Sequence, residues 1–182
     1  MLQQTTVTTV LPYYDRFLKK FPSPATLARA REESVVAAWS GLGYYGRARS
    51  LHRAARVIVN EHGGRIPRTA AALIELPGCG AYTAAAVASI AFGERVAVFD
   101  GNVRRVLSRT FMEGNDEKLR GFADRLVPRD RPGDFNQAMM ELGATLCKPK
   151  DPLCLLCPLR PSCRSFQCSD QEKWPPPRVR PE

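Results

Sequence analysis

Four cysteines near the C-terminus, Cys147, Cys154, Cys157 and Cys163, follow the spacing C-x6-C-x2-C-x5-C, and no other stretch constrains the fold as much. Four thiolates crowded into one short loop repel one another, so the loop is best explained by a shared cation or cluster. Iron–sulfur clusters and structural zinc both accept four cysteines. Zinc ribbons usually bring two C-x2-C knuckles, and only one such pair occurs here. Spacing alone therefore ranks a cluster ahead of zinc. Disulfides or free thiols come third, because a reducing compartment disfavours disulfides. Cys79 and Cys168 fall outside the pattern. Cys79 reads as a small buried residue and Cys168 as a free thiol beside a flexible tail.

Apolar periodicity along the rest of the chain is helical, and the only strand-like run, Arg95 to Phe99, is too short to build a sheet. The fold class is all-α. Helices are expected over Thr6–Phe21, with Pro12 bending it or marking its start, Ala25–Ala30, Glu33–Ser40 and Arg47–His62, the last stopped by Gly63-Gly64. Thr69 can cap a short helix to Leu76, and Pro77-Gly78-Cys79-Gly80 forces a turn before a second helix from Ala81 to Phe92. That unit, about residues 69–92, is a helix-hairpin-helix candidate. Small side chains in Ala84–Ala91 would let its second helix pack closely. Further helices are expected over Asn102–Met112, Glu117–Leu126 and Pro132–Cys147. One domain is expected over 1–168, with the cysteine loop at 147–163. The tail, 169–182, carries three consecutive prolines and is expected to be extended or disordered.

The chain carries 27 Lys and Arg against 18 Asp and Glu, a formal charge of +9, which points to a polyanionic partner. No apolar run is long enough to span a bilayer, and Met1–Thr6 carries no signal-peptide pattern. A cytoplasmic protein with no membrane partner is expected, nucleoid-associated if bacterial.

Two features bear on chemistry. In Leu76–Thr83 the glycines Gly78 and Gly80 permit positive φ, so that amides at the start of the next helix could grip a phosphate without reading bases; the plain alternative is an ordinary helical hairpin. Asp100, in Asp100-Gly101-Asn102-Val103, is either a helix cap or a carboxylate that stabilises a sugar oxocarbenium ion. Arg104, Arg105 and Arg109, with Arg49, Arg53 and Arg56, could touch phosphates but individually read as solvated faces. His52 and His62 have no neighbours that suggest a role.

Taken together, Met1-Leu2-Gln3-Gln4-Thr5, Gly41-Leu42-Gly43-Tyr44-Tyr45, the hairpin, Asp100-Gly101-Asn102-Val103, Phe135-Asn136-Gln137-Ala138 and the cysteine loop resemble adenine DNA glycosylases of the MutY type. The cysteine spacing marks the wider endonuclease III superfamily, and Asp-Gly-Asn with Tyr82 narrows it to the adenine-removing branch. The resemblance implies a helix-hairpin-helix glycosylase fold, a six-helix barrel beside a lobe carrying a 4Fe-4S cluster, with DNA held across the cleft between them. It raises the cluster above zinc as the occupant of the four cysteines.

The implied reaction is hydrolytic removal of adenine from 8-oxoguanine:adenine or guanine:adenine mispairs in double-stranded DNA, by a monomer that flips the base out of the stack. Asp100 would stabilise the oxocarbenium ion and Asn102 would organise its carboxylate. Tyr82 stands where bifunctional relatives carry a lysine nucleophile, so base excision without strand cleavage is implied. Gln3, Gln4, Tyr44 and Tyr45 belong to motifs that meet the duplex, with Gln4 and Tyr44 matching residues that wedge around 8-oxoguanine. Leu2, Val7 and Gln137 match the adenine pocket.

The resemblance also has gaps. The family's glutamate that protonates adenine N7 lies two residues before the methionine matching Met1, and the family's 8-oxoguanine-recognition domain follows the cluster loop. Neither is in this sequence. The expectation is an N-terminally truncated chain with impaired excision. A non-catalytic iron–sulfur DNA-binding module and an endonuclease III-like glycosylase with lyase activity are the alternatives.

Overall fold

Local sequence explains where the helices begin. Ser23, Thr69, Asp100 and Asn115 each stand in extended backbone with a side-chain oxygen accepting the amide three residues on, which satisfies one of the free N–H groups of the first turn. The helices that follow are α2 (Pro24–Arg29), α5 (Ala70–Leu73), α7 (Gly101–Phe111) and α8 (Asp116–Leu126). α1 (Val7–Lys20), α3 (Glu32–Trp39), α4 (Gly46–Glu61), α6 (Ala81–Phe92) and α9 (Pro132–Thr145) complete the main set. Pro12 lies inside α1 rather than opening it. α4 ends as its glycines require, with Gly63 at φ 57° and the Gly64 amide donating to Ile58 O.

This computed structural model describes residues 1–2 and 5–177, and among them no strand forms. Gln3 and Gln4 lie outside the described residues. No helix among those described is long and apolar enough to cross a membrane. The contacts group the chain into two units, Met1–Gly80 and Ala81–Glu182, a division the expectation of one domain over 1–168 does not contain.

In the first unit, α1 to α4 enclose Val10, Phe17, Phe21, Leu27, Val35 and Trp39. Phe17 packs edge-on against Trp39 at 5.9 Å between ring centroids. In the second, Val103, Val106 and Leu107 of α7 pack with Leu119 and Ala123 of α8 and Met139 of α9. The small residues of α6 are spent as anticipated, with Ala84, Ala88 and Ser89 buried. Two glycines of α9 complete the arrangement. A Cβ on Gly133 would lie 2.7 Å from Ile90 Cα of α6, and one on Gly143 would lie 2.6 Å from Asn102 Cβ of α7. The α9 backbone thus touches both neighbours directly.

Beyond Thr145 the cysteine segment is made of tight turns: 3₁₀ turns at Cys154–Leu156 and Arg160–Ser162, then α10 (Arg164–Gln167). The segment after Cys168, expected to be extended or disordered, forms another 3₁₀ turn at Gln171–Lys173. The reason is a partner that composition does not reveal: the Arg109 side chain donates to the carbonyls of Gln171 and Trp174.

Candidate active site and cysteine loop

The carboxylate expected to carry chemistry is also the helix cap that was its plain alternative. Asp100 Oδ1 accepts the Val103 amide at 2.7 Å, while Oδ2 accepts Asn102 Nδ2 at 3.3 Å. Both oxygens are thus fixed by the first turn of α7, and the carboxyl plane is set by the backbone. Tyr82, in the first turn of α6, lies close enough to feel this charge: burial and then the Asp100 carboxylate push its phenol pKa up. The phenol is therefore neutral at ordinary pH and donates to Met140 Sδ at 3.4 Å. Asp100, Asn102 and Tyr82 form one group in the second unit. Gln137 lies in α9, exposed, with its amide donating to Gly133 O of its own helix.

The remaining candidates lie in the first unit. Tyr44 has its side chain outside the core, 67% exposed, and occupies the left-handed region at φ 47°, an uncommon conformation for a residue with a Cβ. The buried tyrosine that was its alternative is overturned. Gly43 at φ 68° precedes it, and Tyr45 is also exposed. Leu2 and Val7 are exposed apolar residues. Of the two hairpin glycines only Gly78 uses its freedom, with φ 78° and a Cβ position 2.5 Å from Ser50 Cβ; Gly80 lies outside the positive-φ region and its Cβ would meet nothing. Cys79, expected buried, is only partly so, and burial raises its thiol pKa.

Arg47 holds the Tyr44 loop, and sequence reasoning passed over it. Its guanidinium donates to Met1 O, Thr5 Oγ1, Leu42 O and Gly43 O, and lies 5.5 Å from the centroids of Trp39 and Tyr44. The available signal was its place in the first turn of α4, where a cation opposes the helix dipole and calls for another reason to be there.

The arginines of α7 overturn the solvated-face reading. Arg104 and Arg109 are 7% and 3% exposed. Arg104 pairs with Asp116 at 2.5 Å. Arg105 is partly buried and donates to Cys147 O, Gly143 O and Asn102 Oδ1 at 2.7, 2.7 and 2.8 Å. By contrast Arg49, Arg53 and Arg56 stay exposed, as expected.

None of the six cysteines is disulfide-bonded. Cys147, Cys154, Cys157 and Cys163 are electrostatic neighbours: burial first, then the other three thiols, pushes the Cys154 pKa up, with Arg109 pulling it back. Cys168 is exposed. Among the described residues no three Cys, His, Asp or Glu side chains gather as one metal ion would need.

Residues 1–128 match the family model of the HhH-GPD superfamily base excision DNA repair protein. The chain belongs to this superfamily. It is 51% identical to the adenine DNA glycosylase of Homo sapiens over 95% of this chain, and 42% identical to that of Schizosaccharomyces pombe over 92%. It spans 33% and 38% of the length of those two relatives. Among solved structures, a thermostable thymine-DNA glycosylase superposes with a TM-score of 0.85 at 33% identity, covering 92% of this chain and 80% of that one. A trapped endonuclease III–DNA covalent intermediate gives 0.77 at 25% identity, covering 91% and 80%.

Proposed function

We propose that this chain acts on adenine in double-stranded DNA, hydrolysing the N-glycosidic bond of adenine mispaired with 8-oxoguanine or guanine. The observation that carries the reading is the Asp100 carboxylate, fixed at both oxygens and set beside a neutral phenol rather than an amine. Identity to the adenine DNA glycosylases supports the choice of base.

As the C1′–N9 bond breaks, the bonding electrons leave with the purine and positive charge develops on the sugar. Asp100 faces that charge, and a fixed carboxylate stabilises it without reorganising. Asn102 holds the carboxylate in place. Water then adds to C1′ and gives up a proton. Tyr82 has no amine with which to form a Schiff base, so strand cleavage by β-elimination does not follow. Gln137, in the same unit as Asp100 and Tyr82, meets the flipped adenine, Tyr44 stacks into the duplex, and the hairpin at Gly78 and Gly80 grips the backbone.

The departing purine also needs a proton at N7. A positioned general acid contributes about 10²- to 10⁴-fold, and no carboxylate precedes Asp15 in this sequence.

Cys147, Cys154, Cys157 and Cys163 would hold a 4Fe-4S cluster. When bound, the cluster cross-links the loop and serves structure rather than the chemical step. The chemistry of the donor set suits it: four thiols outside any disulfide, in one short segment, with Cys147, Cys157 and Cys163 acting electrostatically on Cys154.

The test is single-turnover adenine release from an 8-oxoguanine:adenine duplex by iron-loaded protein, with Asp100→Asn as control and a version extended upstream to carry the glutamate. Release that Asp100→Asn abolishes is expected, and comparison with the extended form measures what the glutamate adds. Tight duplex binding with release by neither form points to a DNA-binding module. A covalent adduct trapped by borohydride points to lyase chemistry.

A further inference from the structure

Arg109 poses a problem of charge. It is 3% exposed, and its three nitrogens all donate: Nε to Gln171 O and Trp174 O at 2.8 and 2.9 Å, Nη1 to Lys148 O at 2.6 Å and Cys147 Sγ at 3.4 Å, and Nη2 to Pro149 O at 3.1 Å. The hydrogen bonds are satisfied, but no carboxylate meets this cation among the described residues. Arg104, the other buried arginine of α7, has one in Asp116. A guanidinium taken out of water without an opposing charge costs several kcal/mol, and neutral carbonyls offset only part of that. The side chains in contact with Arg109 that can become negative are Cys147 and Cys163 of the four-cysteine loop. Its Nη1 lies 3.4 Å from Cys147 Sγ, and its own carbonyl oxygen lies 3.6 Å from Cys163 Sγ.

We infer that Arg109 is the buried counter-charge of the thiolate-held cluster, a positioning residue that donates to Cys147 Sγ and ties the loop and the 171–174 segment to the end of α7. The inference rests on the 4Fe-4S reading. Two consequences follow. One-electron reduction adds negative charge beside a fixed cation and an N–H···S bond, both of which favour the reduced form, so Arg109 raises the cluster's reduction potential. Its bonds to Lys148 O and Pro149 O also hold the Cys147 side of the loop closed, so Arg109 slows cluster loss.

The experiment compares the full iron-loaded chain with Arg109→Lys and Arg109→Gln, reading iron and acid-labile sulfide, reduction potential and the rate of iron loss to a chelator. Arg109→Gln is expected to shift the potential negative and lose iron about tenfold faster, the scale of one hydrogen bond to a charged group. Arg109→Lys, which keeps the charge but not the fork, should fall between. An unchanged potential in Arg109→Gln overturns the inference even if loss is faster, because a purely structural tie would not move it. Should neither variant load, pulsed electron paramagnetic resonance of the reduced wild-type chain, carrying arginine labelled with ¹⁵N in the guanidinium alone, decides. A nitrogen coupling to the cluster supports the inference and its absence overturns it. Zinc without sulfide in the wild-type chain defeats the cluster reading itself, and is seen before any variant is compared.

Discussion

Asn102 donates its side-chain amide to the Asp100 carboxylate whose other oxygen caps α7, so the structural task of this residue and the chemical one proposed for it fall to separate atoms. The two tasks can be pulled apart. Asparagine caps a helix as well as aspartate does, whereas alanine loses the cap at about 1 kcal/mol. Asp100→Asn should keep the melting temperature and abolish adenine release. Asp100→Ala should lose both. Thermal unfolding beside single-turnover release checks the pair, and equal destabilisation by the two substitutions would contradict the capping account.

Tyr82 offers a pH-dependent readout of the same group. Burial first and the Asp100 charge second hold its phenol above the usual value. A raised folded-state pKa means that the contribution to stability is fully present below the unfolded phenol pKa and is lost as pH rises through the folded one. Asp100→Asn removes only the second cause. The alkaline titration of Tyr82, isolated by subtracting that of Tyr82→Phe, should move down without reaching the ordinary value.

Gly143 tests whether packing alone can disable the site. A Cβ there would stand 2.6 Å from Asn102 Cβ and 3.0 Å from its Cα and carbonyl carbon, so α7 must shift. Overpacking of this kind costs about 1–3 kcal/mol. Gly143→Ala is expected to lower stability by that amount in urea unfolding and to slow adenine release in the upstream-extended form at temperatures where it remains folded.

His52 is wholly buried in α4, and neither ring nitrogen has a hydrogen-bond partner among the described residues. Removing an unsatisfied buried polar group in favour of an apolar one of similar shape is neutral or stabilising. His52→Leu should leave the urea midpoint unchanged or raise it, by up to about 1 kcal/mol of stability. A large loss would mean that the imidazole has a partner.

The helices were legible because their stop and start signals are local: Thr69, Asp100 and Asn115 cap within three residues, and Gly63 ends α4 by backbone geometry. The Asp100–Asn102 pairing was within reach for the same reason. What escaped depended on distance along the chain. Arg109 reaches Trp174, and Arg47 reaches Met1, across separations that periodicity does not sense. A helix pattern marks arginine as polar and therefore outward, so it misplaced Arg104 and Arg109, whose acceptors are backbone carbonyls, one distant aspartate and the Cys147 sulfur. Gly80 failed in the opposite sense, because composition grants a glycine freedom that the backbone there does not use.

The interior arginines of α7 also change how the molecule's charge acts on a polyanion. Counterion release depends on the phosphates that a protein neutralises, with log affinity falling by about 0.9 per phosphate for each tenfold rise in salt. Arg104 and Arg109 are in no position to displace a counterion, and Arg105 already donates to Cys147, Gly143 and Asn102. The 27 cationic side chains therefore overstate the surface offered to DNA. Affinity should decay with ionic strength more gently than a pI of about 9.6 suggests, because part of that charge is an interior strut and not a grip.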